Sequence, residues 1–394
     1  MMSAPDRSPD RSRYPELVDS KPVVDLDSEK YVKLWHGPQH PGITGNMSLE
    51  LTLCGDEVVE CKTHVGYLHR GFEKLMERRT WIQNFPVVCR IAVPEPAFNE
   101  YLYAAGLEEL AGIEPPERAQ WIRTLNLEMM RLASFLMWLG GQAGAFGNGT
   151  IGQWTVTHRD YLLDLFEEMT GGRIYHMYML PGGVRSGLPD GFEDRLEAVL
   201  KRVEKLLKEI ELVLLHNAVF KARTVGLGII DKAMIDRYGI TGPNQRACGI
   251  ERDVRKDCPY LVYDRLDFEI ITGTASDVYE RTLVRYREMH QCIDLIRQVL
   301  ERMPREGAFH APLPNVLHWK IPPGATYVKA ECTRGEKGYY IVSDGSLYPR
   351  RICIRGPSYT HAFPVMEKMA VGTDIADIAG LMVSLHTYPP EIER

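Results

Sequence analysis

The segment Val65-Gly-Tyr-Leu-His-Arg-Gly-Phe-Glu-Lys-Leu-Met-Glu77 gathers several groups that can move protons or hold anions. A histidine side chain such as that of His69 can carry a proton, and Arg70 carries a fixed positive charge. With Glu73 and Glu77 they recur at helical spacing, and Lys74 lies among them, which is also the pattern of a solvated helix face. Gly66 and Gly71 bracket His69-Arg70 and permit a tight backbone that aims the pair inward. Arg90 stands in the apolar run Val87-Val-Cys-Arg-Ile-Ala-Val93. A cation there is costly unless paired, so it is either a buried structural ion pair or an arginine facing a charged cofactor at an interface. His176, in Arg173-Ile-Tyr-His-Met-Tyr, poses the same choice between a satisfied core histidine and a functional one.

Other chemistries lack their residues. Gly226-Leu-Gly-Ile-Ile-Asp has no third glycine for a dinucleotide fingerprint, and there is no Walker-type loop, G-x-S-x-G or H-E-x-x-H. The eight cysteines are scattered and form no C-x-x-C pair, so they read as small buried hydrophobes rather than a metal cage. Gly144, Gly147, Gly149 and Gly152 read as a flexible loop after a helix.

These groups need elements to position them. Met47-Ser-Leu-Glu-Leu-Thr-Leu alternates apolar and polar, Cys54-Gly-Asp is a turn, and Glu57-Val-Val-Glu-Cys continues, which predicts an N-terminal hairpin. Pro115-Pro116 opens a helix at 117–139 that Gly140-Gly141 should end. Thr157 can cap a helix to Thr170. Residues 194–220 carry a stripe of Leu196, Val199, Val203, Leu206, Ile210, Val213 and Leu214, and residues 276–303 form another amphipathic helix. After Pro304, Tyr327-Val-Lys-Ala-Glu, Tyr339-Tyr-Ile-Val-Ser and Arg351-Ile-Cys-Ile-Arg read as short strands. The expected fold class is α+β: a disordered tail at 1–30, a β-hairpin region at 31–64, a helical bundle at 65–304 and an α+β region at 305–394.

Composition fits this. The 394 residues are 44% hydrophobic and 25% charged, which excludes collagen-like, coiled-coil and wholly disordered classes. With 47 Lys+Arg against 53 Asp+Glu there is no cationic excess for nucleic acid. No apolar run nears the roughly 20 residues of a membrane helix, and residues 1–13 have no apolar signal segment. A cytosolic chain that docks on a membrane complex is expected.

Several ordered motifs carry a resemblance: Gly37-Pro-Gln-His-Pro, Gly66-Tyr-Leu-His-Arg-Gly-Phe-Glu-Lys, Glu77-Arg-Arg-Thr, Pro115-Pro-Glu-Arg-Ala, Arg131-Leu-Ala-Ser, Gly182-Gly-Val, Gly239-Ile-Thr-Gly-Pro, Asp253-Val-Arg-Lys and Gly335-Glu-Lys-Gly-Tyr-Tyr-Ile-Val-Ser-Asp-Gly. From about residue 32 to the end, the chain resembles the 49-kDa subunit family of respiratory complex I, the D-type subunit of bacterial NADH–quinone oxidoreductase. It is also similar to the matching subunit of archaeal deazaflavin-dependent dehydrogenases. The family shares its fold with the large subunit of nickel–iron hydrogenases, whose two C-x-x-C pairs would fall at Ala92 and Glu95 and at Tyr388 and Glu391. These four residues supply no thiolate, so hydrogenase chemistry is not expected.

The resemblance implies a peripheral-arm subunit on the cytoplasmic side of the cell membrane, in an ion-pumping complex that uses NAD, and holding no cofactor of its own. It implies a quinone cavity shared with a small partner of the B type that carries the terminal iron–sulfur cluster, with a C-type subunit and a membrane-embedded H-type subunit as further partners. NADH is the implied electron donor; ferredoxin or a deazaflavin would suit the same subunit. Arg70, Arg90 and His176 match the family's two arginines and histidine near that cluster. The quinone set departs from the family. Thr44 stands where the family has a histidine, Val93 where it has a tyrosine, and Ala145 where it has an aspartate. Thr44 carries no proton near neutral pH, and Val93 and Ala145 do not hydrogen-bond through their side chains. The reading adopted is a quinone or quinone-like carrier with His40 or water as proton donor. A different acceptor, a degenerate paralogue, a redox-inactive assembly scaffold and a hydrogenase-like enzyme with another metal are the alternatives.

Overall fold

The computed structural model describes residues 30–40 and 47–394. The tail at 1–29 and Thr44 therefore lie outside the described residues. At the N-terminal end, β1 (Val32–His36), β2 (Ser48–Cys54) and β3 (Glu57–His64) form an antiparallel sheet in the order β1-β2-β3. The predicted hairpin is its β2–β3 half. The sequence hides β1 because Val32, Leu34 and Trp35 all stay exposed, so no inward alternation marks that strand. The C-terminal region is strung along β3. Val58 N–H donates to Thr373 O at 2.9 Å, and Gly372 N–H donates to Val58 O at 2.7 Å.

The bundle comprises α1 (Phe72–Met76), α2 (Pro96–Ala111), α3 (Glu117–Ala145), α4 (Gly149–Thr170), α5 (Phe192–Ile210) and α6 (Val278–Arg302), with α7 (Ile375–Leu385) closing over it. The central helix α3 is buried along most of its length. Two short strands, β4 (Met179–Leu180) and β5 (Gly183–Val184), follow α4. The second sheet is antiparallel, in the order β6 (Gly324–Cys332), β7 (Gly335–Ser343) and β8 (Arg351–Arg355), and matches the three predicted C-terminal strands. The α+β class is as expected.

Four expectations need correction. α3 does not end at Gly140-Gly141. An added Cβ at Gly140 would collide with Thr155 Oγ1 and come within 3.1 Å of Gly152 Cα. This glycine lets α3 and α4 approach closely rather than stopping the helix. The glycine-rich stretch is accordingly not a loop: only Phe146-Gly147-Asn148 separates the two helices. Thr157 is not a cap but sits inside α4, its hydroxyl donating to Gln153 O at 2.9 Å. The stripe on α5 breaks where a π turn at Glu211–Leu215 inserts an extra residue. Leu214 and Leu215 are buried, and Val213 is 40% exposed.

Much of the interior is ionic. Arg246 meets Glu288 and Glu331 at 2.8 Å each, and Arg255 meets Asp253 at 2.8 Å and Glu128 at 3.4 Å. All of these groups are buried, and they tie α3, α6 and β6 together.

Gly140→Ala should destabilise the fold by about 1–3 kcal/mol through overpacking. Gly144→Ala, where an added Cβ meets nothing within 4 Å, should stabilise it by about 0.5 kcal/mol. Denaturant unfolding of the two variants checks the contrast.

Candidate functional site

The loop before α1 carries Arg70. Gly66 (φ 123°) and Gly71 (φ 61°) both take left-handed backbone, as the tight turn requires. The C-terminal end clamps this loop. The Glu393 carboxylate accepts from Gly66 N–H at 2.7 Å and Leu68 N–H at 2.6 Å, and the Glu393 carbonyl pairs with His69 Nδ1. His69 and Arg70 remain exposed and precede the helix, so the expected helical face and inward aim do not form. Arg70 instead stacks on Phe72 at 4.4 Å and donates to Arg90 O at 2.9 Å.

Arg90 is half-buried, and among the described residues it has no carboxylate within ion-pair distance. Its guanidinium donates to Pro86 O at 2.7 Å and to Cys89 Sγ at 3.3 Å, and lies over the Tyr175 ring at 4.6 Å. The buried-ion-pair alternative is thereby removed. Two uncompensated guanidiniums, Arg70 and Arg90, share one edge of the molecule. Tyr175 brings the neighbouring His176 to the same region, but His176 turns inward, buried and stacked on Phe166 with ring centroids 4.5 Å apart. Among the described residues neither of its ring nitrogens has a side-chain hydrogen-bond partner. Burial pulls its pKa down to about 4. It is a neutral imidazole at pH 7.

Beneath this edge lies a network that the sequence motifs do not announce. Glu95 pairs with Arg334 and accepts from Thr333 Oγ1 at 2.5 Å. Arg334 also reaches Glu391 at 3.4 Å, and Lys337 meets Glu391 at 2.6 Å. Ser358 Oγ donates to Glu391 at 2.6 Å and accepts from Tyr388 N–H at 3.1 Å. All four charged groups are buried. Burial pushes the Glu391 carboxyl up, but Arg334 and Lys337 outweigh it and hold the pKa well below the usual carboxylate range. The signal was present in outline: Glu95 and Glu391 are two of the four positions where hydrogenase cysteines would fall.

These four residues do not fit a nickel–iron centre. Ala92 offers no ligand, and Glu95 and Glu391 are taken up by Arg334 and Lys337. The nearby thiols are held protonated: Cys89 is pushed up to about 12 by burial, and burial with Glu95 raises Cys332 further. Among the described residues, no group of three or more His, Cys, Asp and Glu could hold a metal ion.

Beside the network opens a cavity of about 250 Å³, lined by Pro94, Ser134, Met137, Trp138, Gly141, Val383, His386, Thr387 and Tyr388. Tyr388 rests against Arg334 at 5.3 Å, and its phenolic oxygen accepts from Val93 N–H at 3.3 Å. Val93 thus borders the site through its backbone. Ala145, the last residue of α3, does not line the cavity, and neither does His40, which pairs with His36 at the end of β1. Burial, then His40, lowers the His36 pKa to about 4.

Known proteins share this architecture. A family model described as "Respiratory-chain NADH dehydrogenase, 49 Kd subunit" matches residues 145–320 and 314–394. The chain is 42% identical to the D subunit of the NADH-quinone oxidoreductase of Thermosipho melanesiensis, over 92% of this chain and 99% of that one. It is 36% identical to the D subunit of the F(420)H(2) dehydrogenase of Methanosarcina mazei, over 91% and 96% respectively. A chain in the solved structure of the membrane-bound sulfane sulfur reductase, an archaeal respiratory membrane complex, superposes with a TM-score of 0.91 at 41% identity, covering 94% of this chain and 100% of that one.

Removing one ion of the buried network strands another. Lys337→Met should cost about 3–5 kcal/mol, and Lys337→Met/Glu391→Gln should recover much of it. Because Glu391's folded pKa is depressed, its contribution is present above the ordinary carboxylate range and lost as pH falls. Denaturant unfolding at pH 7 and below pH 4 should show the penalty of Lys337→Met shrinking in acid.

Proposed function

This chain belongs to the 49-kDa subunit family of respiratory-chain NADH dehydrogenases, and from that premise we propose that it walls an electron-acceptor cavity beside the terminal iron–sulfur cluster of a smaller partner subunit. It is the D-type component of a complex I-like respiratory oxidoreductase. The observation that carries the finer reading is the edge formed by Arg70 and Arg90. Two guanidiniums without carboxylate partners among the described residues, held by carbonyls and aromatic faces, keep their positive charge available to a neighbour. Positive charge beside an iron–sulfur cluster stabilises the reduced, more negative form and raises its potential. The edge adjoins the cavity through Val93 and Tyr388, so an electron leaving the cluster would have a short route to an acceptor there.

The acceptor in this reading is a quinone, and the subunit sits peripherally on the cytoplasmic face of the membrane. No helix among the described residues is long and apolar enough to cross a membrane. The B-type cluster subunit, a C-type subunit and an H-type membrane subunit are the expected partners. Electrons come from NADH or a related donor, and the energy released drives ion pumping elsewhere in the complex. Sulfane sulfur is a second acceptor reading. It is favoured by Val93 and Ala145, which carry no proton, and by the 41% identity to a chain of the sulfane sulfur reductase.

Redox titration of the assembled complex tests the role of the edge. Arg90→Met should lower the midpoint of the partner's cluster by on the order of 60 mV, a tenfold shift in a one-electron equilibrium. His176, neutral above pH 4 while the cluster is oxidised, should gain proton affinity when it is reduced. The wild-type midpoint should therefore fall as pH rises, and His176→Leu should flatten that slope. Midpoints unchanged at every pH would contradict the assignment.

A further inference from the structure

The tyrosine expected at Val93 and the histidine expected at Thr44 have no counterpart at those positions, yet the cavity is not without polar groups. Two of them come from the segment after α7. Tyr388 accepts from Val93 N–H at 3.3 Å, so its phenol oxygen lies against the backbone of the very position where the family's tyrosine would start. The phenol's own hydrogen finds no acceptor among the described residues. Its ring is fixed from behind by Arg334, which Glu95 and Glu391 anchor in turn. Burial raises the Tyr388 pKa, which keeps the hydrogen on the oxygen at neutral pH.

His386 is the second group. It lines the same cavity, is only 8% exposed, and sits near Phe135 and Trp138 at 6.4 and 5.9 Å between ring centroids. Among the described residues its buried Nδ1 has no hydrogen-bond partner. His386 ends α7 in left-handed backbone (φ 54°, ψ 54°), a common way for a helix to terminate. A cavity-lining residue whose imidazole is not committed to a protein partner can serve a ligand there. Pro94, Met137, Trp138 and Val383 supply the apolar walls, and Ser134, Gly141 and Thr387 complete the lining. A dry cavity of about 150 Å³ can admit benzene, so about 250 Å³ accommodates a substituted six-membered ring.

We propose that Tyr388 and His386 are the polar contacts for the headgroup of a quinone-class acceptor: the Tyr388 hydroxyl donates to one ring carbonyl, and the His386 imidazole hydrogen-bonds at the same headgroup. This rests on the acceptor-cavity reading above and replaces His40 as the expected polar group.

The test uses the purified whole complex, reduced by methyl viologen, with 2,3-dimethyl-1,4-naphthoquinone as the acceptor probe. Tyr388→Phe should raise the KM for the quinone about tenfold, the loss of one hydrogen bond, while reduction of the partner's cluster by methyl viologen stays at the wild-type rate. Tyr388→Phe/Val93→Tyr should restore most of the KM by returning a phenol from the other side, which a purely structural role for Tyr388 would not allow. His386→Phe should likewise raise the KM. A wild-type complex inert toward the quinone overturns the acceptor-cavity reading and this assignment with it. An active wild type with Tyr388→Phe unchanged, or with no recovery in the double variant, overturns this assignment alone.

Discussion

Two carboxylates and two cations, Glu95, Glu391, Arg334 and Lys337, are buried together, and the geometry of the candidate site depends on them. The network joins three distant stretches of chain: the segment after Arg90, strand β7 with its preceding turn, and the C-terminal segment. Burying four charges is expensive, and such groups rarely add net stability over a well-packed apolar core. They do impose specificity, because each ion is tolerated only with its partners in place. The C-terminal segment is therefore pinned at Glu391, and at Glu393 two residues on. From these pins Tyr388 reaches Val93, and the loop carrying Arg70 is held against Arg90.

Most buried arginines are paired with carboxylates, Arg281 and Arg285 being held by carbonyl, hydroxyl and amide oxygens instead. Inside, Arg131, Arg246, Arg255 and Arg334 all have carboxylates within ion-pair distance. At the edge, Arg70 and Arg90 have carbonyl oxygens and aromatic faces instead. Carbonyls and rings orient a guanidinium without neutralising it, so the field survives into the space beyond. His176 behaves differently again. Burial keeps it uncharged in this chain, and only a new negative charge close by would bring it a proton.

The periodic parts of the fold were legible in the sequence. The β2–β3 hairpin, α3, α6 and β6–β8 follow from apolar spacing and turn residues, because burial on one face leaves a regular trace. β1 left none, since its apolar side chains face outward. Gly140 misled because a helix-stopping residue and a residue that permits close helix packing look alike until the neighbour is known. The candidate site was legible only in part. Arg70 and Arg90 stood out as cations in unusual surroundings, whereas Glu95, Arg334, Lys337 and Glu391 are ordinary charged residues whose partners lie up to 239 residues away. Tyr388 and His386 were hidden for the same reason: their meaning comes from Val93 and Trp138, which only the fold brings to them.

In this reading the polypeptide supplies walls and fixed charge, while the redox-active atoms belong to a neighbour. The most direct measurement is a cryo-electron microscopy structure of the assembled complex that locates the partner's iron–sulfur cluster. That cluster should lie opposite Arg70, Arg90 and Tyr175, with the cavity at Tyr388 opening next to it. A cluster seated against a different face, such as the outer surface of β6–β8, or a prosthetic group bound within this chain, would contradict the reading.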